Sequence, residues 1–125
     1  MPTEEQLVTV LRTLRCVAVI AFDSLGRELC RVGPVDTVAG DGLFKALFNG
    51  PHEVQRLRDS LEGQLLPQIW SQGATDCFVS RLPNGVLYAV FSQTPLDAVG
   101  LYRASQNAAR VLDPLFQEKL GDARS

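Results

Sequence analysis

The stretch from Thr75 to Gln93, TDCFVSRLPNGVLYAVFSQ, does most to limit the folds open to this chain. Two short apolar runs flank Pro83-Asn84-Gly85. Asn-Gly between such runs is a strong hairpin signal, because both residues tolerate the positive φ of a tight turn. In the first run, Cys77, Val79 and Arg81 fall on one face, and Phe78, Ser80 and Leu82 on the other. In the second, Val86, Leu87, Tyr88, Val90 and Phe91 leave almost no polar face. That strand is expected to be covered on both sides and to lie centrally in its sheet.

The remaining segments are read around this hairpin. Residues 3–14 form an expected helix, with Thr3 and Gln6 as a T-x-x-Q capping box and Leu7, Val10, Leu11 and Leu14 as an apolar stripe. RCVAVIAF (15–22) reads as a buried strand. Asp23-Ser24-Leu25-Gly26 reads as a turn with Gly26 left-handed, and RELCRV (27–32) as a half-exposed strand that Gly33-Pro34 ends. Residues 35–42 carry little pattern and are expected to be loop. LFKALF (43–48) suggests a short helix, interrupted by Asn49-Gly50-Pro51, with Pro51 opening a new helix whose stripe is Val54, Leu57 and Leu61. Gly63 would stop that helix. QLLPQIWS (64–71) admits two readings, a helix end or an edge strand. As a strand it would place Leu66, Gln68 and Trp70 on one face and Leu65 and Ile69 on the other, an apolar edge that needs a cover. Thr94-Pro95-Leu96-Asp97 is expected to cap a closing helix with Leu101, Ala104, Ala108, Val111, Leu112 and Leu115 inward. Pro114 should kink or end that helix near Asp113, leaving a polar tail from Glu118.

Length and composition bound the function classes. At 125 residues, with 46% hydrophobic and 21% charged, the chain suits one globular domain with a real core. A net charge of −2 argues against nucleic acid as a partner. No apolar run is long enough to span a bilayer, and MPTEEQL lacks the regions of a secretory signal. Cys16, Cys30 and Cys77 form no CxxC pair and read as buried free thiols of a cytoplasmic protein. The single histidine, His52, sits at an exposed helix start, and no HExxH or phosphate-cradling glycine motif occurs. Asp23 and Asp41 would act as a carboxylate pair only if the fold brought them together. Catalytic, cofactor-binding and metal-binding residues are therefore all expected to be absent. Arg56, Arg58, Arg103 and Arg110 are helical arginines that suit either an acidic partner or a solvated face.

VAVIAFDSLGRELCRVG (17–33) resembles the first hairpin of the Roadblock/LC7 family, with its Asp-x-x-Gly turn. VLYAVFSQTPLDAVGLYRASQNAARVL (86–112) resembles that family's last strand, loop and closing helix. The resemblance covers nearly the whole chain. It implies an α/β (α+β), profilin-like fold with a five-stranded antiparallel sheet flanked by helices, residues 1–120 as one domain and 121–125 as a tail. It further implies a homodimer built on the central helix and third strand, here Leu57, Leu61, Leu65, Ile69 and Trp70. The break at Asn49-Gly50-Pro51 departs from the family's continuous central helix. The implied partners are a second copy, another Roadblock protein or a small Ras-like GTPase complex. The implied role is a non-catalytic adaptor in polarity or gliding-motility control, preferred over a GTPase-activating role. A small-molecule sensor domain and a secretion chaperone remain as alternatives, with a cysteine enzyme further off.

Overall fold

A computed structural model of the chain describes residues 2–40, 42 and 47–123, with side chains up to residue 117. Its elements run α1 (Glu4–Leu14), β1 (Ala18–Phe22), β2 (Glu28–Val32), α2 (Val35–Ala39), α3 (Pro51–Ser60), β3 (Gln68–Gln72), β4 (Thr75–Arg81), β5 (Leu87–Ser92) and α4 (Ala98–Ala123). The fold is α+β, an antiparallel five-stranded sheet in the order β2-β1-β5-β4-β3 with helices on both faces. β5 holds the middle, as its unbroken apolar run requires, and all six of its residues are buried.

The period of two along the strands splits the core. Ala18, Ile20, Phe22, Cys77, Val79, Ala89 and Phe91 pack beneath α2 and α3, with Val54, Leu57 and Leu61. Val19, Ala21, Phe78, Tyr88 and Val90 pack beneath α1 and α4, with Leu7, Leu11, Ala108, Leu112 and Phe116.

Residues 35–39 are helical rather than loop, because Val35, Val38 and Ala39 are buried against the sheet at i, i+3 and i+4. A helix of five residues is too short to announce itself as periodicity. Of residues 64–71, read as either a helix end or an edge strand, 68–71 enter β3 and 64–67 lead into it outside any helix or strand; Pro67 immediately precedes the strand, where a missing N–H breaks no ladder. The helix expected over 43–48 lies outside the described residues except for Leu47 and Phe48, as does Asp41 of the carboxylate pair.

α1 begins as expected. Thr3 Oγ1 accepts from the Gln6 N–H at 3.1 Å and Gln6 Oε1 accepts from the Thr3 N–H at 2.8 Å. It ends in a Schellman pattern, with the Arg15 N–H donating to Arg12 O and the Cys16 N–H to Leu11 O. The left-handed position of that motif is normally glycine, yet here Arg15 takes φ +57. A side chain there costs about 1 kcal/mol relative to glycine.

The two hairpins share one turn geometry. The Asp23 N–H donates to Arg27 O and the Gly26 N–H to Asp23 O; the Leu82 N–H donates to Val86 O and the Gly85 N–H to Leu82 O. Each is a three-residue loop closed by a left-handed glycine, Gly26 at φ +82 and Gly85 at φ +92. Asn84 keeps a negative φ, so the Asn-Gly pair does not form the two-residue turn its sequence suggests. Instead the Asn84 side chain accepts from the Val86 N–H and donates to Phe116 O. The turns abut: a β-carbon on Gly85 would stand 2.7 Å from Ser24 Cβ. Arg58 of α3 donates to both, through Nη1 to Gly85 O at 2.7 Å and Nη2 to Asp23 O at 2.6 Å, while its Nε donates to Gln55 Oε1 at 2.9 Å.

α4 departs from expectation at both ends. Its cap is Asp97 rather than Thr94: Asp97 Oδ1 accepts from the Gly100 N–H at 2.7 Å. The Thr94 hydroxyl is directed to Arg15 O instead. The helix passes through Pro114 to Ala123. Pro114 is exposed, where a carbonyl deprived of its N–H partner costs least, and Phe116 beyond it is buried.

Tyr88 donates to Asp113 across this layer and its ring stacks on Phe116. Burial raises the Asp113 pKa, with the Tyr88 hydrogen bond pulling the other way, and burial keeps the Tyr88 hydroxyl protonated. Folded Asp113 therefore holds its proton at pH values where the unfolded chain releases it. Its contribution to stability falls as pH rises from the ordinary aspartate range, about 4, through the raised folded value. Asp113→Asn removes that slope. Denaturant titrations of both proteins between roughly pH 3.5 and 7 should show the variant gaining on wild type as pH rises. A constant difference would reject the assignment.

Candidate functional site

The surface with the clearest capacity for interaction is the β3 edge. β3 ends the sheet, paired on one side with β4 in the register Gln68 to Val79 through Gln72 to Thr75, and its other side pairs with no described strand. Leu65, just before it, is 89% exposed, the most exposed large apolar residue described. Ile69 is partly buried beneath the α1/α4 layer and Trp70 beneath the α2/α3 layer. Gln68 Nε2 donates to Leu65 O at 2.7 Å and so holds the approach to the strand. An apolar strand edge left open is a template for pairing with another chain.

The five residues expected at the interface thus separate. Leu65, Ile69 and Trp70 lie together along the edge. Leu57 and Leu61 are each 1% exposed, directed into the chain's own core, and offer nothing to a second molecule. Their i, i+4 spacing marks a buried stripe equally well for either use. α3 turns His52, Arg56, Asp59 and Ser60 outward instead, so its outer face is polar. Arg58, one of the helical arginines suited to a partner, is committed to the two hairpin turns.

The other chemically interesting groups are quiet. The cysteines are free thiols, and burial pushes Cys16 and Cys30 up to about 11 and Cys77 well above the usual thiol range. They are protonated at neutral pH and poor nucleophiles. Among the described residues no group of three or more His, Cys, Asp or Glu is placed to hold a metal ion. No described helix is long and apolar enough to cross a membrane.

A second feature, not singled out from the sequence, is an open groove of about 360 Å³ between the end of α1 and the start of α4. Leu14, Leu96 and Ala104 give it apolar walls, and Arg15 and Arg103 line it.

No protein-family model and no curated protein matches the chain. Solved structures that share its fold include MglB of Myxococcus xanthus, at 11% identity and TM-score 0.55, over 88% of this chain and 90% of that one. They also include the gliding protein MglB of Thermus thermophilus, at 13% identity and TM-score 0.56 over 94% of each chain. An MglB with a tetrameric arrangement matches at 14% identity and TM-score 0.55, over 94% and 93%. The chain has the MglB fold, and the five-stranded architecture implied by the Roadblock/LC7 resemblance is the one found.

Proposed function

We propose that this protein is a non-catalytic, adaptor-type regulator in a small Ras-like GTPase module of cell polarity or gliding motility, cytoplasmic and working as a homodimer. The observation that carries the reading is the end-to-end likeness of its fold to MglB, covering 88–94% of this chain and 90–94% of the others. The open β3 edge supports the dimer, with Leu65, Ile69 and Trp70 as its apolar contribution. An MglC-like adaptor role is preferred to a GTPase-activating one, and the hydrolysis measurement below decides between them.

Leu65 is the residue on which to test the dimer, since its exposure lets it be changed without disturbing the core. Light scattering at micromolar concentration should give twice the chain mass for wild type. Leu65→Asp should weaken the association about tenfold or more, through a charge on each side of a two-fold contact, while circular dichroism stays unchanged. A wild-type monomer would end the dimer proposal. For the GTPase module, a pull-down from the native cell should return a small Ras-like GTPase or a second protein of this fold. GTP hydrolysis by that GTPase should be the same with and without this protein; acceleration would replace the adaptor role with a GTPase-activating one.

A further inference from the structure

The groove between the end of α1 and the start of α4 lies on the helical layer, apart from the β3 edge. Its walls are apolar where Leu14, Leu96 and Ala104 meet, and Leu96 is 42% exposed. Its cations are not committed elsewhere. Arg15 and Arg103 are exposed, and neither has an ion-pair or hydrogen-bond partner for its side chain among the described residues. The nearest acid in sequence, Asp97, has Oδ1 turned to the α4 N-terminus. From residue 98 to 112 α4 carries Arg103 and Arg110 and no acidic residue, so this surface is basic in a chain whose net charge is −2. A second, shallower hollow shares Arg103 and Asn107 with the groove and extends the basic strip to Arg110.

Arg15 supplies an independent sign of use. It occupies the left-handed end of a Schellman motif at φ +57, where glycine is favoured. Its backbone is strained, and its side chain makes no polar contact among the described residues that compensates. Residues held in sparsely populated conformations concentrate at sites of function.

We propose that this groove binds an acidic peptide segment of a partner protein. An apolar side chain of the segment lies against Leu14 and Leu96, and its carboxylates meet Arg15 and Arg103. Guanidinium–carboxylate pairs give such a contact its direction. The open shape suits an extended or helical segment better than an enclosed small molecule.

The test begins by panning a phage-displayed library of random dodecapeptides on the full-length protein. Enriched sequences should place Asp or Glu beside Leu, Ile or Phe. Fluorescein-labelled copies are then titrated by anisotropy against wild type, Arg15→Gly, Arg103→Gln and Arg56→Gln. Arg15→Gly should raise the thermal midpoint and weaken binding about tenfold, a combination that a merely structural residue does not produce. Arg103→Gln should weaken binding similarly without changing the midpoint, and Arg56→Gln, which removes an exposed charge from α3 on the other face of the sheet, should bind as wild type. Absence of acidic enrichment, or unchanged affinity in both Arg15→Gly and Arg103→Gln, overturns the proposal. Displacement of the peptides by phosphatidylglycerol vesicles, together with direct vesicle binding, would assign the surface to an anionic lipid headgroup layer instead and likewise overturn it.

Discussion

Phe116→Ala is expected to lower the stability of this protein by about 3 kcal/mol, with a fall of roughly 10 °C in the thermal midpoint. Phe116 is only 2% exposed and stacks on Tyr88 with ring centroids 5.4 Å apart. It also lies beyond Pro114, where the sequence suggests that the helix should already have kinked or ended. Its burial supplies the free energy that carries the helix past a proline costing about 3 kcal/mol in an interior position. The Asn84 side chain reinforces this by donating to Phe116 O at 3.1 Å. Denaturant unfolding checks the prediction. A loss below about 1 kcal/mol would mean that the C-terminal turns are not integral to the fold.

Arg58→Ala should cost about 2–3 kcal/mol, although Arg58 belongs to no apolar cluster. Its guanidinium bridges the two hairpin turns, and it has no ready substitute because several donors must point along fixed directions at once. Burial, with Arg81 nearby, lowers its pKa somewhat, but the group stays charged. Truncation leaves Gly85 O and Asp23 O without that donor. Arg58→Lys should recover less than half of the loss, since an ammonium reaches one carbonyl well and the other poorly. Equal stabilities of the lysine variant and wild type would refute the clamp.

Most of the sheet was readable because its signals are local and periodic. The apolar run of β5, the alternation in β4 and the Asp-x-x-Gly turn fix elements over a few residues each, and the T-x-x-Q box fixes the start of α1. What escaped depends on contacts between distant segments. The stripe Val54, Leu57 and Leu61 is the same string of letters whether it faces the sheet or a second molecule, and only the packing of α3 decided for the sheet. Pro114 reads as a helix breaker until Phe116 is seen buried against β5. Arg58 looks like any solvent-facing cation, because the carbonyls it binds lie 35 and 27 residues away in the chain. The groove shows the same limit: Arg15 and Arg103 lie near opposite ends of the sequence and meet only through the packing of α1 on α4. Of the expected interface, the edge residues Leu65, Ile69 and Trp70 remain a proposal, while Leu57 and Leu61 belong to the core.

The two borders of the sheet are chemically unlike. At β3 the border carries Ile69 and Trp70, whereas at β2 it carries Glu28 and Arg31, with Arg31 bonded to both Glu28 and Asp36. Joining β3 to β3 about a two-fold axis would leave a charged β2 at each outer limit, a surface that discourages further strand pairing. Joining β3 to β2 would instead repeat without end and generate a filament. In the proposed β3 dimer the unequal borders would act as a stop on polymerisation: growth by strand pairing would halt at two copies, and any larger assembly would have to be built through the helical layers.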